Sequence, residues 1–282
     1  MQKSPKIFLS DNGSLRPEAT LALRGLANSL SERLDQLVEP VSVLHSHKID
    51  PAKIGGQKAR IFNPALNRAI EAGESRFVVL PLFLGPSLAI TSYLPELIEK
   101  ARVKKNTNLN VVISDPLAGP AVDVPDLRLA EMMAENVLKT IESEKMSCPA
   151  VALVDHGTPI RPVNQLRNAV AEQLAEQLGD SVSHVFATSM ERRDGPEYAF
   201  NEPLLETIDQ VEGFCGPDLV AAMFFLLPGR HAGAGGDVAE ICDGVIERGA
   251  VNRIAMTPLL GSNQKLLDIL EDRARDALAQ LN

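Results

Sequence analysis

Two of the five histidines in this chain stand where chemistry is most easily built. His156 lies in Val154-Asp155-His156-Gly157-Thr158-Pro159, after the apolar run Val151 to Val154 and at the start of a tight turn. His231 follows the run Leu219 to Leu227 through Pro228-Gly229-Arg230, and glycines at 233, 235 and 236 let the backbone beyond it approach a large ligand. Both runs read as buried strands, so both imidazoles are predicted at strand carboxyl ends, where open parallel sheets bind their ligands. Imidazoles on neighbouring strand tips can converge on one divalent ion. Glu191, in Ser189-Met190-Glu191-Arg192-Arg193 after the predicted strand Val182 to Ala187, would bring a carboxylate to the same place. Arg161, Arg192, Arg193 and Arg230 flank these positions and suit a polycarboxylate ligand through forked hydrogen bonds. Taken singly, the same arginines suit a solvated surface equally well.

The remaining candidates are weaker. His45 and His47 read as the end of a strand, where alternate residues share a face. A wet sheet edge fits that pair better than a second weak metal site. His184 falls near the start of its strand, the wrong end of the sheet, and reads as structural. Gly233-Ala234-Gly235-Gly236 lacks the third glycine of a dinucleotide fingerprint and follows a third strand, so no nucleotide is expected. Cys148, Cys215 and Cys242 are odd in number and show no CxxC spacing, which opposes both a disulfide framework and a thiolate zinc site.

The elements that must position these residues recur along the chain. Strands are expected at Ile7 to Ser10, Val41 to Leu44, Phe77 to Leu84, Val111 to Ile113, Val151 to Val154, Val182 to Ala187, Leu219 to Leu227 and Ile254 to Met256. Helical spacing fills the gaps, as in Leu21, Leu23, Leu26, Leu30 and Leu34, or Val163, Leu166, Val170, Leu174 and Leu178. Such alternation implies parallel sheets with helices on both faces. The two halves also match each other in order. Ser10-Asp11-Asn12-Gly13-Ser14 answers Val154-Asp155-His156-Gly157-Thr158, and Phe62-Asn63-Pro64-Ala65-Leu66 answers Phe200-Asn201-Glu202-Pro203-Leu204, each opening a helix through an Asn cap. Phe83-Leu84-Gly85-Pro86 answers Phe225-Leu226-Leu227-Pro228, and Asp115-Pro116-Leu117-Ala118-Gly119 answers Thr257-Pro258-Leu259-Leu260-Gly261. A duplication accounts for this, with domains expected at 1–145 and 146–282 and their two sheets facing across a cleft.

Bulk composition narrows the partners. A 45% hydrophobic and 23% charged composition is ordinary for a folded protein and opposes disorder or a fibrous design, and a formal net charge of -9 without a basic run opposes nucleic acid or an anionic membrane surface as partner. The longest apolar run is far short of the roughly 20 residues that cross a bilayer. The start of the sequence, Met1 to Ser10, does not read as a signal peptide, and the expected location is the cytoplasm.

Asp155-His156-Gly157-Thr158 after the first strand of the second half, Ser189-Met190-Glu191-Arg192 with Phe200-Asn201-Glu202-Pro203, and the stretch from Phe225 to His231 running into Ala232-Gly233-Ala234-Gly235-Gly236-Asp237 together resemble the CbiX family of sirohydrochlorin chelatases, the class II group. The resemblance spans nearly the whole chain. It implies a duplicated chelatase-like, flavodoxin-like fold and the insertion of Co2+ or Fe2+, with Ni2+ a further candidate, into sirohydrochlorin for cobalamin or siroheme, without a nucleotide. It carries metal binding onto His156 and His231 and an acidic catalytic helper onto Glu191, while Arg161, Arg192, Arg230 and Gly233 are the expected substrate-binding residues from their positions in the sequence. In the first half Asn12 and Ala89 stand where the family's histidines would be. One chain would hold both domains, so a monomer suffices. Two other readings use the same residues: a tetrapyrrole or metal carrier without turnover, and an unrelated α/β enzyme whose histidines act as acid and base on a small anion.

Overall fold

The computed structural model describes residues 4–233 and 235–281 of the chain. Eight strands and seven α-helices alternate in it: β1 (Lys6–Asp11), α1 (Pro17–Leu34), β2 (Val38–Ser42), α2 (Phe62–Glu71), β3 (Arg76–Pro81), α3 (Leu94–Lys105), β4 (Asn110–Ile113), α4 (Arg128–Glu144), then β5 (Ala150–Asp155), α5 (Arg161–Leu178), β6 (His184–Ser189), β7 (Asp218–Met223), α6 (Asp237–Glu247), β8 (Arg253–Met256) and α7 (Gln264–Leu281). They form two four-stranded, wholly parallel sheets of order β2-β1-β3-β4 and β6-β5-β7-β8. The α/β class, the parallel pairing and the duplication expected from the sequence are all present.

All six residues of β5, and five of the six in each of β1, β3 and β7, are buried, as a sheet covered on both faces requires. Each such Val, Leu, Ile or Phe contributes roughly 1.5–3 kcal/mol by leaving water. Proline at the first turn starts α1 and α5, where its missing N–H is not needed, and a left-handed Asp35 ends α1. Of the leucines that define α1, Leu23, Leu26 and Leu30 are buried, while Leu21 points outward.

The chain divides into two compact units, one of Met1–Pro120 with Gln264–Asn282 and the other of Ala121–Asn263. The repeated copies meet between α4 and β5, but the helix that ends each copy joins the sheet of the other unit. In the first unit α7 packs on β3, β4 and α1, and Arg33 bonds Asp268 at 2.6 Å. In the second, α4 packs on α5, β7 and β8. The opposite face of the first sheet is closed by α2 and α3 around Phe8, Phe62 and Phe77, and that of the second by α6 around Val154, Ala221 and Val238.

Four sequence expectations need correction. The second strand spans Val38–Ser42 rather than starting after Pro40, because it is an edge strand and tolerates a proline paired with Leu9. The third and seventh runs leave their sheets early, at Pro81 and Met223. Isolated parallel bridges join Ser42 to Ile61 and Ser189 to Leu204, so Ile61 answers Leu204, and the match of Phe62 with Phe200 is out of register. Neither asparagine caps a helix: Ile61 precedes α2 without a capping side chain, and Asn201 ends the 3-10 segment Pro196–Asn201. Among the described residues no helix is long and apolar enough to cross a membrane.

Candidate metal centre

In a sheet of order β6-β5-β7-β8 the chain switches direction between β5 and β7, the point beyond whose strand carboxyl ends open parallel sheets bind their ligands. His156 follows β5 directly, and His231 lies in the loop between β7 and α6. Their rings come together with centroids 4.5 Å apart and planes inclined at 58°. Both belong to the second unit. Two rings that share an ion through Nε2, at a metal–nitrogen distance of about 2.1 Å, would at this centroid separation subtend an angle of about 90° at the metal. Their side chains are 47% and 33% exposed, so an ion can reach them from solvent.

Each ring is oriented by its own neighbours. Nδ1 of His156 lies 3.1 Å from the carbonyl oxygen of Gly157, and its Nε2 lies 3.3 Å from Oε1 of Glu191. Nδ1 of His231 lies 2.7 Å from Oδ2 of Asp237. A carboxylate on one imidazole nitrogen fixes the tautomer and leaves the other nitrogen as the ligating atom. Asp237 is the first residue of α6, where the helix dipole favours a negative charge. The first N–H groups of that helix also hold the histidine loop: Asp237 N–H donates to the Arg230 carbonyl at 3.3 Å and Val238 N–H to the His231 carbonyl at 3.2 Å.

The path between His156 and Glu191 depends on one glycine. Gly157 has φ +86°, and a Cβ on it would stand 1.9 Å from the carbonyl oxygen of Glu191. Beneath it, buried Asp155 accepts hydrogen bonds through Oδ1 from the Gly157 N–H at 3.0 Å and the Ser189 hydroxyl at 2.6 Å. Burial raises the pKa of this carboxyl group, and the Arg167 charge, the Ser189 hydroxyl and the Gly157 N–H oppose that rise.

The other sequence candidates scatter. Arg192 bonds Glu202 at 2.9 Å and the carbonyls of Arg193 and Gly195, Arg161 stands over the Phe200 ring at 4.7 Å, and Arg193 stands 5.8 Å from the Tyr198 ring centre. Arg230 is 81% exposed, 3.5 Å from Asp237, and so has most of its guanidinium turned to solvent. Gly233 has φ +116° with open space at its Cβ position, Gly236 packs against the carbonyls of Arg230 and His231, and Ala234 lies outside the described residues. His45 and His47 do not end a strand: β2 stops at Ser42, His45 has φ +65° and His47 lies in the 3-10 turn Ser46–Lys48. His184 begins β6 and stacks 4.3 Å from Phe186, the structural position expected.

Asp237 escaped the sequence reading, although it ends the glycine-rich stretch directly after His231. Its signal was an acidic residue at the first position of a helix, one loop away from an imidazole. Among the described residues no three His, Cys, Asp or Glu side chains surround a common point. The centre is a pair of imidazoles, His231 backed on Nδ1 by Asp237 and His156 with Glu191 beside its Nε2.

The family model described as CbiX matches residues 6–135, within the copy that lacks the strand-tip histidine pair. No curated protein matches the chain. Among solved structures, SirB from Bacillus subtilis with Fe3+ is 14% identical, over 99% of this chain and 97% of that one, with a TM-score of 0.67. The sirohydrochlorin chelatase SirB from Bacillus subtilis subspecies spizizenii in complex with cobalt is 12% identical over the same shares, with a TM-score of 0.66. DR2241 from Deinococcus radiodurans, a multi-domain protein with structural similarity to chelatases, is 14% identical over 96% of this chain and 55% of that one, with a TM-score of 0.57. At these identities the likeness is one of fold. The stretch 6–135 is thus similar to the CbiX family, and the fold of the whole chain is that of the two SirB structures.

Proposed function

We propose that this protein inserts a divalent metal, Co2+ or Fe2+, into sirohydrochlorin, in the cytoplasm and without a nucleotide, as a step of cobalamin or siroheme biosynthesis. The observation that carries this reading is the 4.5 Å approach of His156 to His231 at the switch point of the second sheet. Copy 146–282 would do the chemistry, and copy 1–145, with Asn12 and Ala89 at the matching positions, would not. Ni2+ shares the same donor preferences, and supply as much as affinity decides which ion is used.

The metal is substrate. Two neutral imidazoles hold it while leaving coordination positions for pyrrole nitrogens, which displace its water one by one. Insertion releases two pyrrole protons. Glu191, whose Oε1 faces Nε2 of His156, is the base best placed to take one of them. Exposed Arg230, with Arg161 and Arg192 as lesser candidates, would meet substrate carboxylates, and the open space at Gly233 admits the edge of the macrocycle.

The test is anaerobic insertion of Co2+ and, separately, Fe2+ into sirohydrochlorin, followed by absorbance, for the wild type, His156→Ala and His231→Ala. Loss of turnover in both variants is the expected result. Full turnover in either variant overturns the ligand pair, and tight binding of sirohydrochlorin by a wild type with no turnover would make the protein a carrier.

A further inference from the structure

The largest fully buried side chain in the molecule is an arginine, Arg167, 1% exposed on α5 and not among the residues just assigned to the metal centre. One of its nitrogens, Nη1, donates to the Ser189 hydroxyl at 2.7 Å and to the Asn201 carbonyl at 3.0 Å, and lies 4.0 Å from Asp155 Oδ1. Nε and Nη2 both bond Asn168 Oδ1, at 3.0 and 2.8 Å, which fixes the plane of the guanidinium. Asn201, itself fully buried, then clamps Thr158 from both sides: its Oδ1 accepts from the Thr158 N–H at 2.9 Å, and its Nδ2 donates to the Thr158 carbonyl at 2.9 Å.

The simplest explanation of a buried arginine here is neutralisation of buried Asp155. The other half of the molecule argues against it. Asp11 is the counterpart of Asp155, each in register with a serine on the neighbouring strand, Ser42 or Ser189. The counterpart of Arg167, 144 positions earlier on α1, is Leu23, equally buried at 2%. The fold therefore accommodates the buried aspartate without a cation. The arginine stands only in the copy that carries the histidine pair, and its hydrogen bonds run to the segments beside His156 and Glu191. Ser189 is two residues before Glu191, and Asn201 holds the residue two after His156.

We propose that Arg167 is a positioning residue for the metal centre: by bridging Ser189 to Asn201 and thence to Thr158, it fixes the strand ends that aim His156 and Glu191 at one point. Substituting it would loosen the ligands without touching them. The inference rests on the proposed reading of His156 and His231 as metal ligands with Glu191 as the base beside them.

The test is Co2+ titration of the full chain, followed by its visible ligand-field spectrum, with thermal unfolding recorded beside it. Arg167→Lys keeps a positive charge near Asp155 but lacks the planar fork that serves Ser189, Asn201 and Asn168 together. Asn201→Ala leaves the Arg167–Asp155 pair untouched and removes the clamp on Thr158. Both variants are expected to bind Co2+ at least tenfold more weakly, with an altered spectrum. Arg167→Leu, which copies the first half, is expected to behave likewise. Wild-type affinity and spectrum in Arg167→Lys and in Asn201→Ala would overturn the positioning role and leave charge neutralisation in its place. A wild type whose Co2+ binding is indifferent to His156→Ala and His231→Ala would instead overturn the metal-site reading and the inference with it.

Discussion

His231 and Asp237 are six residues apart in the chain, and Nδ1 of the one meets Oδ2 of the other at 2.7 Å, so the loop between them ends in a carboxylate fixed on the first turn of α6. A carboxylate behind a ligating imidazole sets its tautomer and raises its basicity, and its loss typically costs 10- to 100-fold in metal affinity. Asp237→Asn is therefore expected to weaken Co2+ binding by roughly that factor, measured by competition with a chelator of known affinity. An unchanged dissociation constant would show that the loop alone orients the ring.

Glu191 separates binding from proton transfer. Glu191→Gln keeps its size but cannot accept a proton, so Co2+ affinity should change little while the rate of insertion into sirohydrochlorin falls on the order of 10²-fold. Single-turnover kinetics at saturating metal would show it. A fall in affinity with the insertion rate preserved would make Glu191 a ligand instead of a base.

Gly13 and Gly157 are equivalent positions and are constrained alike. They have φ +88° and +86°, and a Cβ on either would lie 1.8 Å from the Leu44 carbonyl oxygen or 1.9 Å from that of Glu191. Alanine at either position should destabilise by about 2 kcal/mol or more, since both strain and a backbone clash must be relieved. Urea unfolding would measure it. Only Gly157→Ala should also weaken Co2+ binding, because only there does the strained residue adjoin a proposed ligand, His156.

The strands, the parallel pairing and the duplication were legible in the sequence because each rests on a local pattern: buried apolar runs, turn residues and a repeat at nearly constant spacing. The histidine pair was legible for the same reason, as each imidazole follows such a run. Exchange of the terminal helices was not, because α4 and α7 carry apolar faces that suit either sheet equally, and only tertiary packing chooses between them. Asn201 misled because an asparagine before an apolar stretch reads as a helix cap, whereas its side chain is spent on Thr158, 43 residues away. His45 and His47 misled because a strand expected over Val41 to Leu44 starts three residues late and runs two residues past the true end at Ser42.

Asp11 makes the stability of the first copy sensitive to pH. Burial raises its pKa to about 6, against hydrogen bonds from Ser42 and Gly13. The unfolded chain loses this proton near 3.8, so between there and about 6 the folded state binds the proton more tightly. Stability from this group is thus fully present below the unfolded value and is lost as pH rises through about 6. Asp11→Asn mimics the protonated form at every pH. It is expected to stabilise the protein above pH 6, by up to about 3 kcal/mol for a shift of this size, and to make no difference below about pH 4. Urea unfolding of both proteins across that range measures it. A difference that stays constant with pH would mean that Asp11 keeps an ordinary carboxylate pKa in the fold.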